Sequence, residues 1–562
     1  MSTLRPIEEA MPSPASAWSQ VGRRLENDLI RLVDGANPIL VKETRQALKS
    51  RQFVASFFVV LASCWLVSFG GVALAGPEIY YSAVGGQLLL AYFAVLTFPL
   101  TVIVPYSAYR SLAGEQEDNT YDLLSITALS ARQIVTGKLW SAADQMMIYL
   151  CAVSPCIAFT YLLRGVDAFT IALLLTLAVV TSLTLSMFAL LVGASSRTKQ
   201  SQLVTSVALV LGLFGVFYVL LIAALGLLDA GVPREPEFWL VVLVAGAMLA
   251  STFGLMHAAA SAQIAFSSEN RATPLRRWMM VQQACLVGGM GSVYFAMEAG
   301  WRDASGLVSF FVVVAGMYWY FMGALMTSEW PHLSRRVQRS LPQTPVGRSV
   351  LGLFNPGPGT GYLFAVANLS SVTFAGLVVV WLTSGAPVTS RWSGEHAAYL
   401  AVIGWGYVVG YLGLGRLVIA LLRRWMYVSL SAGSLVHLVL VLAGVGIPLT
   451  LQMSMRTFRN QGYTLLQMTN VPWTMAELFD RGAAAVQAEI LVWIVPGVAL
   501  LMLLANQPSA AAELQRHRIA PPGRVVEEEQ RLRTAVAQGP VSPWDEPDAD
   551  ELSDAAGREP VA

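Results

Sequence analysis

The chain has 562 residues, of which 55% are hydrophobic and only 13% are charged. A water-soluble protein of this length needs far more charge to cover its surface, so the composition excludes that class and indicates a polytopic membrane protein. The formal net charge of +1 gives no indication of nucleic-acid binding, and no basic cluster with interleaved aromatic residues suggests it either.

The N-terminal part of the chain divides into two segments. Residues 1–36 begin with a stretch rich in proline, serine, alanine and glutamate, which predicts a cytoplasmic, partly disordered segment. Residues 37–52 predict an elbow helix lying on the lipid headgroups, because Asn37 can cap it and Pro38 suits its first turn. Its less polar side holds Leu40, Thr44, Ala47 and Leu48, and its charged side holds Lys42, Glu43, Arg45 and Lys49.

Twelve apolar runs follow, each close to the ~20 residues that a helix needs to cross the hydrocarbon core. Lipid offers no partner for unpaired backbone groups, so the predicted fold is an all-α integral membrane protein. The runs form a first six-span half, 53–265, and a second, 266–505. They lie near 53–75, 87–109, 139–163, 168–194, 203–228, 239–265, 279–298, 306–327, 360–383, 397–415 (extending to 422 as an alternative), 426–450 and 483–505.

A polar loop, residues 111–138, separates the second and third runs. Acidic residues crowd its start, and Thr120 can cap a short helix whose apolar side includes Leu124. Ser130 followed by Gln133 has the pattern of a capping box, which predicts the start of the next helix. The loop is therefore predicted to hold a short amphipathic helix against the membrane, followed by an ordered re-entry.

Four groups of residues in this loop form a recognisable series: Gly114-Glu115, Thr120, Asp122-Leu123-Leu124 and Gly137-Lys138-Leu139. The series resembles the cytoplasmic loop of ATP-binding-cassette (ABC) permeases of the second exporter class, although that family commonly has proline where this chain has Ala128. In that family an elbow helix precedes the first span, and the short loop helix contacts a separate ATPase and transmits its movement. The resemblance implies an ATPase-coupling role for Glu115, Thr120, Asp122, Leu123 and Leu124. An ordinary solvated loop is the alternative.

The polar loop after the eighth run repeats some features of the first. Ser328-Glu329 stands where Gly114-Glu115 stands, and Thr344-Pro345 follows further along. Residues 271–280 likewise precede the seventh run much as the elbow helix precedes the first. These similarities favour two parallel six-helix repeats and make Glu329, Thr344 and Pro345 candidates for a second coupling loop. Chance similarity of two polar loops is the alternative.

Arginine and lysine are concentrated in alternate loops. With the N-terminus inside, each inner loop carries at least two basic residues, whereas most outer loops carry one. This bias predicts an inner cell membrane protein with both termini in the cytoplasm. The longer outer segment, 453–482, predicts a small external helix or a re-entrant piece. The polar tail, 506–562, predicts disorder.

The sequence offers no residues for an enzyme reaction. It has no G-x-x-x-x-G-K-[ST] phosphate loop, no HExxH pair and no G-x-S-x-G elbow, and its five histidines are scattered. All four cysteines lie in apolar runs, which indicates small buried side chains and not a disulfide framework or a metal site. Asp144 and Glu489 are predicted roughly two turns inside spans, where a charge is costly and often functional. We favour hydration or pairing of both near an interface.

The sequence therefore predicts a permease subunit of an ATP-driven ABC transporter, which the resemblance implies to be an exporter. It also implies a cassette ATPase as the partner that binds ATP, so no cofactor is expected in this chain. Membrane lipid surrounds the protein, pairing of two chains is left open, and no nucleic acid is expected. The alternatives are an ion-coupled secondary transporter, for which Asp144 or Glu489 would be the support, and a non-transporting membrane scaffold.

Overall fold

A computed structural model describes most of the chain between residues 38 and 537. The described ranges are 38–77, 81–117, 129–196, 198–266, 268–296, 304–330, 333–339, 341–342, 344–383, 394–455, 462–481, 487–514 and 523–537. Throughout these ranges the secondary structure is helical, without a strand. Eleven of the described helices are long and apolar enough to cross a membrane. The predicted all-α, multi-pass membrane architecture is thus confirmed.

The first half consists of the elbow helix and the first six spans. Its helices are α1 (Pro38–Leu48), α2 (Arg51–Ala75), α3 (Gly85–Phe98), α4 (Val104–Glu117), α5 (Ala131–Leu162), α6 (Ala168–Ser195), α7 (Lys199–Ala230) and α8 (Pro236–Ile264). Ser50 ends the turn between α1 and α2, and its hydroxyl accepts a hydrogen bond from the N–H of Phe53. This cap lets the chain turn from the interface directly into the first span.

The second half continues with six further long helices and four short pieces. Its helices are α9 (Ala272–Ala296), α10 (Ala304–Thr327), α11 (Arg335–Arg339), α12 (Pro345–Gly352), α13 (Pro358–Thr383), α14 (Gly394–Leu422), α15 (Leu430–Ser454), α16 (Val471–Arg481) and α17 (Ala488–Leu514). A 3-10 turn (Leu465–Thr469) precedes α16, and α18 (Gly523–Ala537) lies beyond the last span. The tenth span, α14, ends at Leu422, which is the longer of the two limits predicted for it (415 or 422).

The second span is a single rod with an irregular middle. A π-helical turn, Pro99–Ile103, joins α3 to α4. Pro99 and Pro105 each lack the N–H that a regular helix donates four residues back, so the hydrogen-bond ladder is interrupted at both. The hydroxyls of Thr97 and Thr101 bond the carbonyls of Phe93 and Thr97 there.

The apolar core is divided between the two halves. One core draws its buried residues from between Ile39 and Ile264, and another from between Leu255 and Ala499. In the first half α4 packs against α6, and in the second half α14 packs against α17 while α10 packs against α13 and α14. Contact between α8 and α9 connects the halves along the chain.

The seventh span differs from its prediction in how it begins. The sequence likens residues 271–280 to the elbow helix before the first span, but α9 runs without a break from Ala272 to Ala296. Asn270 starts it by accepting a hydrogen bond from the N–H of Thr273 at 3.1 Å. Because α9 carries the polar pair Gln282 and Gln283, it is not among the eleven helices that are most clearly apolar.

The described part of segment 453–482 contains two short elements. The 3-10 turn and α16 pack against α14 and α15, and Thr474 and Leu478 are buried in that contact. Tyr463 and Thr474 share a hydrogen bond of 2.9 Å between their hydroxyls. The sequence left open a small helix or a re-entrant piece. The described part of this segment forms a small helix, which packs on the ends of the spans.

The last span and the tail contradict two predictions. Helix α17 begins at Ala488, so Glu489 lies exposed in its first turn and not two turns deep. A carboxylate is favourable there because of the helix dipole. The sequence predicts disorder from residue 506, but α17 continues to Leu514 and α18 forms a further exposed helix. Hydrogen bonds from Arg416 to Asn506 and Ser509 stabilise the extension.

Candidate functional site

A buried lysine joins three helices at one end of the first half. Lys138 Nζ lies 3.0 Å from Glu43 Oε1 and 3.0 Å from Glu115 Oε1, and it donates to the carbonyl of Ser111 at 3.1 Å. Only 1% of the Lys138 side chain is exposed, against 10% and 11% for the two carboxylates. Lys42 stands beside both, 3.5 Å from Glu115. We call Lys42, Glu43, Glu115 and Lys138 the Lys138 cluster; it fixes α1, α4 and α5 to one another.

The position of Lys138 follows from the start of α5. The Ser130 hydroxyl accepts a hydrogen bond from the Gln133 N–H, and the Gln133 side chain accepts one from the Ser130 N–H at 2.9 Å. This is the predicted capping box, which is confirmed. It fixes the first turn of α5, so that Lys138 follows about two turns later. There its ammonium reaches the end of α4 and the side of α1.

The elbow helix is present as α1, but its buried side is not the one expected. Ile39 and Glu43 are its buried residues. The prediction that Glu43 belongs to the solvated charged side is wrong, because Lys138 supplies a counter-charge inside the protein. The Thr44 hydroxyl adds a hydrogen bond to Asp144 Oδ2 at 2.9 Å. Asp144 is therefore half-buried and paired to α1, in agreement with the pairing that we favoured for it.

A polar cavity of about 400 Å³ lies beside the Lys138 cluster. It is bounded by α1, α4 and α5, with Lys42 and the exposed Arg110 among its lining residues. Ser107 donates a hydrogen bond to Gln145 within the same wall. Water in this cavity can reach the edge of the ion pairs, which lowers the desolvation cost that a fully dry cluster would carry.

The second half contains a buried cation of its own. Arg276, near the start of α9, is fully buried, and its Nη2 lies 2.8 Å from Glu329 Oε2. Its Nη1 donates to the carbonyls of Leu353 and Asn355 and to the hydroxyl of Thr360. We call these five residues the Arg276 cluster. The planar fork of arginine suits such a set of acceptors, which a lysine ammonium could not match.

The start of α13 lies directly against the end of α17. Glu513 accepts hydrogen bonds from the N–H groups of Gly359 at 2.8 Å and Thr360 at 3.1 Å. A carboxylate is favourable at this helix start because the first N–H groups have no partner within the helix. Gly359 permits the close approach, since a Cβ there would lie 2.7 Å from the Cα of Ala510.

Arg416 extends these contacts into α14. Its guanidinium lies 3.6 Å from Glu513 and donates to the side-chain oxygen of Asn506 at 2.9 Å. Arg416 lies one residue beyond the shorter predicted limit of the tenth span and inside the longer one. An isolated charge in such an apolar run needs a partner, and this signal of a site in the sequence is absent from the predicted site residues.

Both clusters lie at the same end of the helices. Because the spans cross in alternation, α4 and α10 end on the same side, so Glu115 and Glu329 share that side. Glu115 and Glu329 occupy equivalent places in the two polar loops, and each forms an ion pair with a buried cation. The order differs, because the cation follows Glu115 along the chain but precedes Glu329.

The charge of Glu329 depends on its partners. Burial raises the pKa of this carboxyl above its usual value, whereas the Arg276 guanidinium and the N–H of Gly357, which donates at 3.0 Å, favour the charged form. Without Arg276 the carboxyl would lose its main counter-charge.

The other predicted site residues are dispersed. Thr120, Asp122, Leu123 and Leu124 lie in 118–128, outside the described residues. Thr344 caps α12 by accepting from the N–H of Gly347, and Pro345 is the first residue of that helix. Glu489 lies at the opposite end of the spans from Glu115. The structure therefore brings together Glu115 with Glu43 and Lys138, and Glu329 with Arg276, but not these two sets with each other through any described ion pair.

Comparison of the chain with protein-family models, with characterised proteins and with solved structures finds no match. Among the described residues, no three histidine, cysteine or carboxylate side chains are placed to hold a metal ion.

Proposed function

We propose that this protein is the membrane-spanning permease subunit of an ABC-type exporter, driven by a separate ATPase that docks on the 111–138 loop. The observation that carries this proposal is the Lys138 cluster, which holds both ends of that loop. Glu115 lies where α4 leads into the loop, and Lys138 lies in α5 after it. The resemblance of the loop residues to such permeases supplies the identity of the partner.

The cluster suits a loop that transmits movement. A displacement of the loop helix would act on α4 and α5 together, because their ends are joined through Lys138. It would also act on α1, since Glu43 shares the same ammonium. A push on the loop would therefore move three helices as one unit. Glu115 acts in this scheme as a brace of the loop.

Leu124→Asp tests the coupling directly. If Leu124 seats in an apolar groove of the ATPase, its loss should remove about 1.5–3 kcal/mol of binding. We expect a normal amount of protein in the membrane, with reduced co-purification of the co-expressed cassette ATPase and reduced ATP hydrolysis by the pair in liposomes. Leu532→Asp is the matched control, because Leu532 is an exposed leucine of α18 and is not part of the loop.

Unchanged ATPase binding and hydrolysis in Leu124→Asp would exclude the proposed coupling. Transport driven by an ion gradient alone would instead favour a secondary transporter. Absence of any nucleotide-linked activity with any co-encoded ATPase would favour a scaffold. Glu115→Ala is unsuitable for this test, because it also removes a carboxylate from the Lys138 cluster.

The orientation is a separate part of the proposal. The arginine and lysine distribution favours a cytoplasmic location for the loop and for both termini, in the inner cell membrane. We expect Glu117→Cys and Gln343→Cys, in a chain whose four native cysteines are replaced, to resist an impermeant thiol reagent in intact cells. Both should react after permeabilisation. Reaction of either site from outside would reverse the orientation.

A further inference from the structure

A second, apolar cavity lies in the other half of the protein, away from both ion-pair clusters. It has a volume of about 510 Å³ and is lined by α14, α15 and α17. Its walls are apolar side chains and glycines, including Leu414, Leu440 and Met502. The turn Leu465–Thr469 contributes Leu466 and Met468 and closes the end farthest from the Arg276 cluster.

The few polar groups at the edge of this cavity are already engaged. The Tyr407 hydroxyl donates to the carbonyl of Met468, and the Tyr411 hydroxyl donates to that of Thr469 at 2.7 Å. The Thr469 hydroxyl donates to the carbonyl of Gly444 at 3.1 Å. A polar ligand would therefore lose its hydrogen bonds to water without gaining donors in return. The cavity suits an apolar occupant, and its volume lies within the range of about 300–1,000 Å³ typical of ligand pockets.

The opening of the cavity faces the hydrocarbon of the membrane. Leu442, Ile447 and Leu451 of α15 are exposed by 59%, 59% and 43%, and Val498 of α17 is exposed by 47%. Both helices are among the eleven that can cross a membrane, so these exposed apolar faces are covered by lipid chains. An acyl chain can thus enter between α15 and α17 without crossing a polar surface.

We propose that this cavity binds one acyl chain of a membrane phospholipid, in the leaflet next to the turn Leu465–Thr469. The headgroup would stay at the interface beside that turn, while the chain lies against α14. This inference does not rest on the proposed ATPase coupling, because it concerns other helices and the opposite leaflet.

The test uses the full-length protein in phosphatidylcholine liposomes that contain a phosphatidylcholine with a diazirine in the middle of one acyl chain. After photolysis, adducts are mapped by mass spectrometry. We expect them to concentrate on cavity residues such as Ile447, Val498 and Met502, above the level at Leu438 and Leu442, which face lipid but do not line the cavity. Equal labelling of both groups would overturn the proposal.

Two variants fill the cavity from opposite walls. Ala443→Phe and Val498→Phe should each reduce labelling at Met502 by about tenfold, equivalent to about 1.4 kcal/mol. Leu442→Phe places a ring on the lipid side of α15, the helix that carries Ala443, and should leave the labelling at Met502 unchanged. If one of the two filling variants does not fold to a monodisperse protein, the labelling of the other variant tests the proposal. Unchanged labelling in a folded filling variant would contradict the site, and because no ATP is used, that result would leave the coupling proposal intact.

Discussion

Replacing Lys138 by methionine is expected to destabilise the protein by about 3 kcal/mol, because Glu43 and Glu115 would remain buried without their central cation. The value is at the lower end for a broken buried pair, since Lys42 stands 3.5 Å from Glu115 and the polar cavity admits water. The measurement is the melting temperature of the purified protein in detergent, determined from the loss of the monodisperse peak in gel filtration after heating. This change should also release α1 from α5, which proteolysis of the N-terminal segment would detect.

The matched control is Lys42→Met. The Lys42 side chain is 59% exposed, and exposed ion pairs contribute little, so stability should change by no more than about 0.5 kcal/mol. The double variant Lys138→Met with Glu115→Gln should regain part of the loss, because one uncompensated charge is removed. Equal melting temperatures for Lys138→Met and Lys42→Met would show that the cluster does not hold the helices together.

Replacing Arg276 by methionine is expected to have an effect at least as large, about 3–5 kcal/mol. Arg276 is fully buried, and its loss would leave Glu329 without its counter-charge and the carbonyls of Leu353 and Asn355 without their donor. Arg276→Lys should recover only a part, because a lysine cannot reproduce the fork of hydrogen bonds. The neighbouring Arg277 is exposed, so Arg277→Met is the control and should melt like the unchanged protein.

The stability of the Arg276→Met variant should also depend more strongly on pH than that of the unchanged protein. Burial already raises the pKa of Glu329, and removal of the cation should raise it further. A carboxyl whose pKa is higher in the folded state than in the unfolded state binds its proton more tightly when folded. Stability is then lost as the pH rises above about 4.3, the unfolded value for glutamate, through the folded pKa. The variant should melt at a higher temperature at pH 5 than at pH 8, and the absence of this difference would mean that Glu329 is not held by Arg276.

The spans and their caps could be predicted from the sequence, because both depend on local properties. An apolar run of sufficient length has to form a helix in lipid whatever surrounds it, since the backbone has no other partner. The Ser130 cap likewise depends only on residues within one turn. The ends of helices were less predictable: α5 begins eight residues before its expected limit of 139, since polar residues at the interface can remain helical.

The ion-pair clusters were not predictable in the same way. Lys138 lies 95 residues after Glu43 and 23 residues after Glu115 along the chain, and nothing in one segment identifies its partner in another. The helical pattern of α1 placed Glu43 on the charged side because a carboxylate is normally solvated. Only the approach of α5 makes its burial favourable, since a buried charge is tolerated where a counter-charge meets it.

The residues alone indicate a helical protein that crosses the membrane many times, the position of most spans, and the loop that resembles an ATPase contact. The packed helices add which charges are buried in pairs, the continuation of the last span as helix to Leu514, and an apolar cavity that opens between α15 and α17. This division follows from the range of the forces involved. Transfer of a side chain into lipid acts residue by residue, whereas the energy of a buried charge or a cavity depends on groups that only the packing of distant helices brings within a few ångströms.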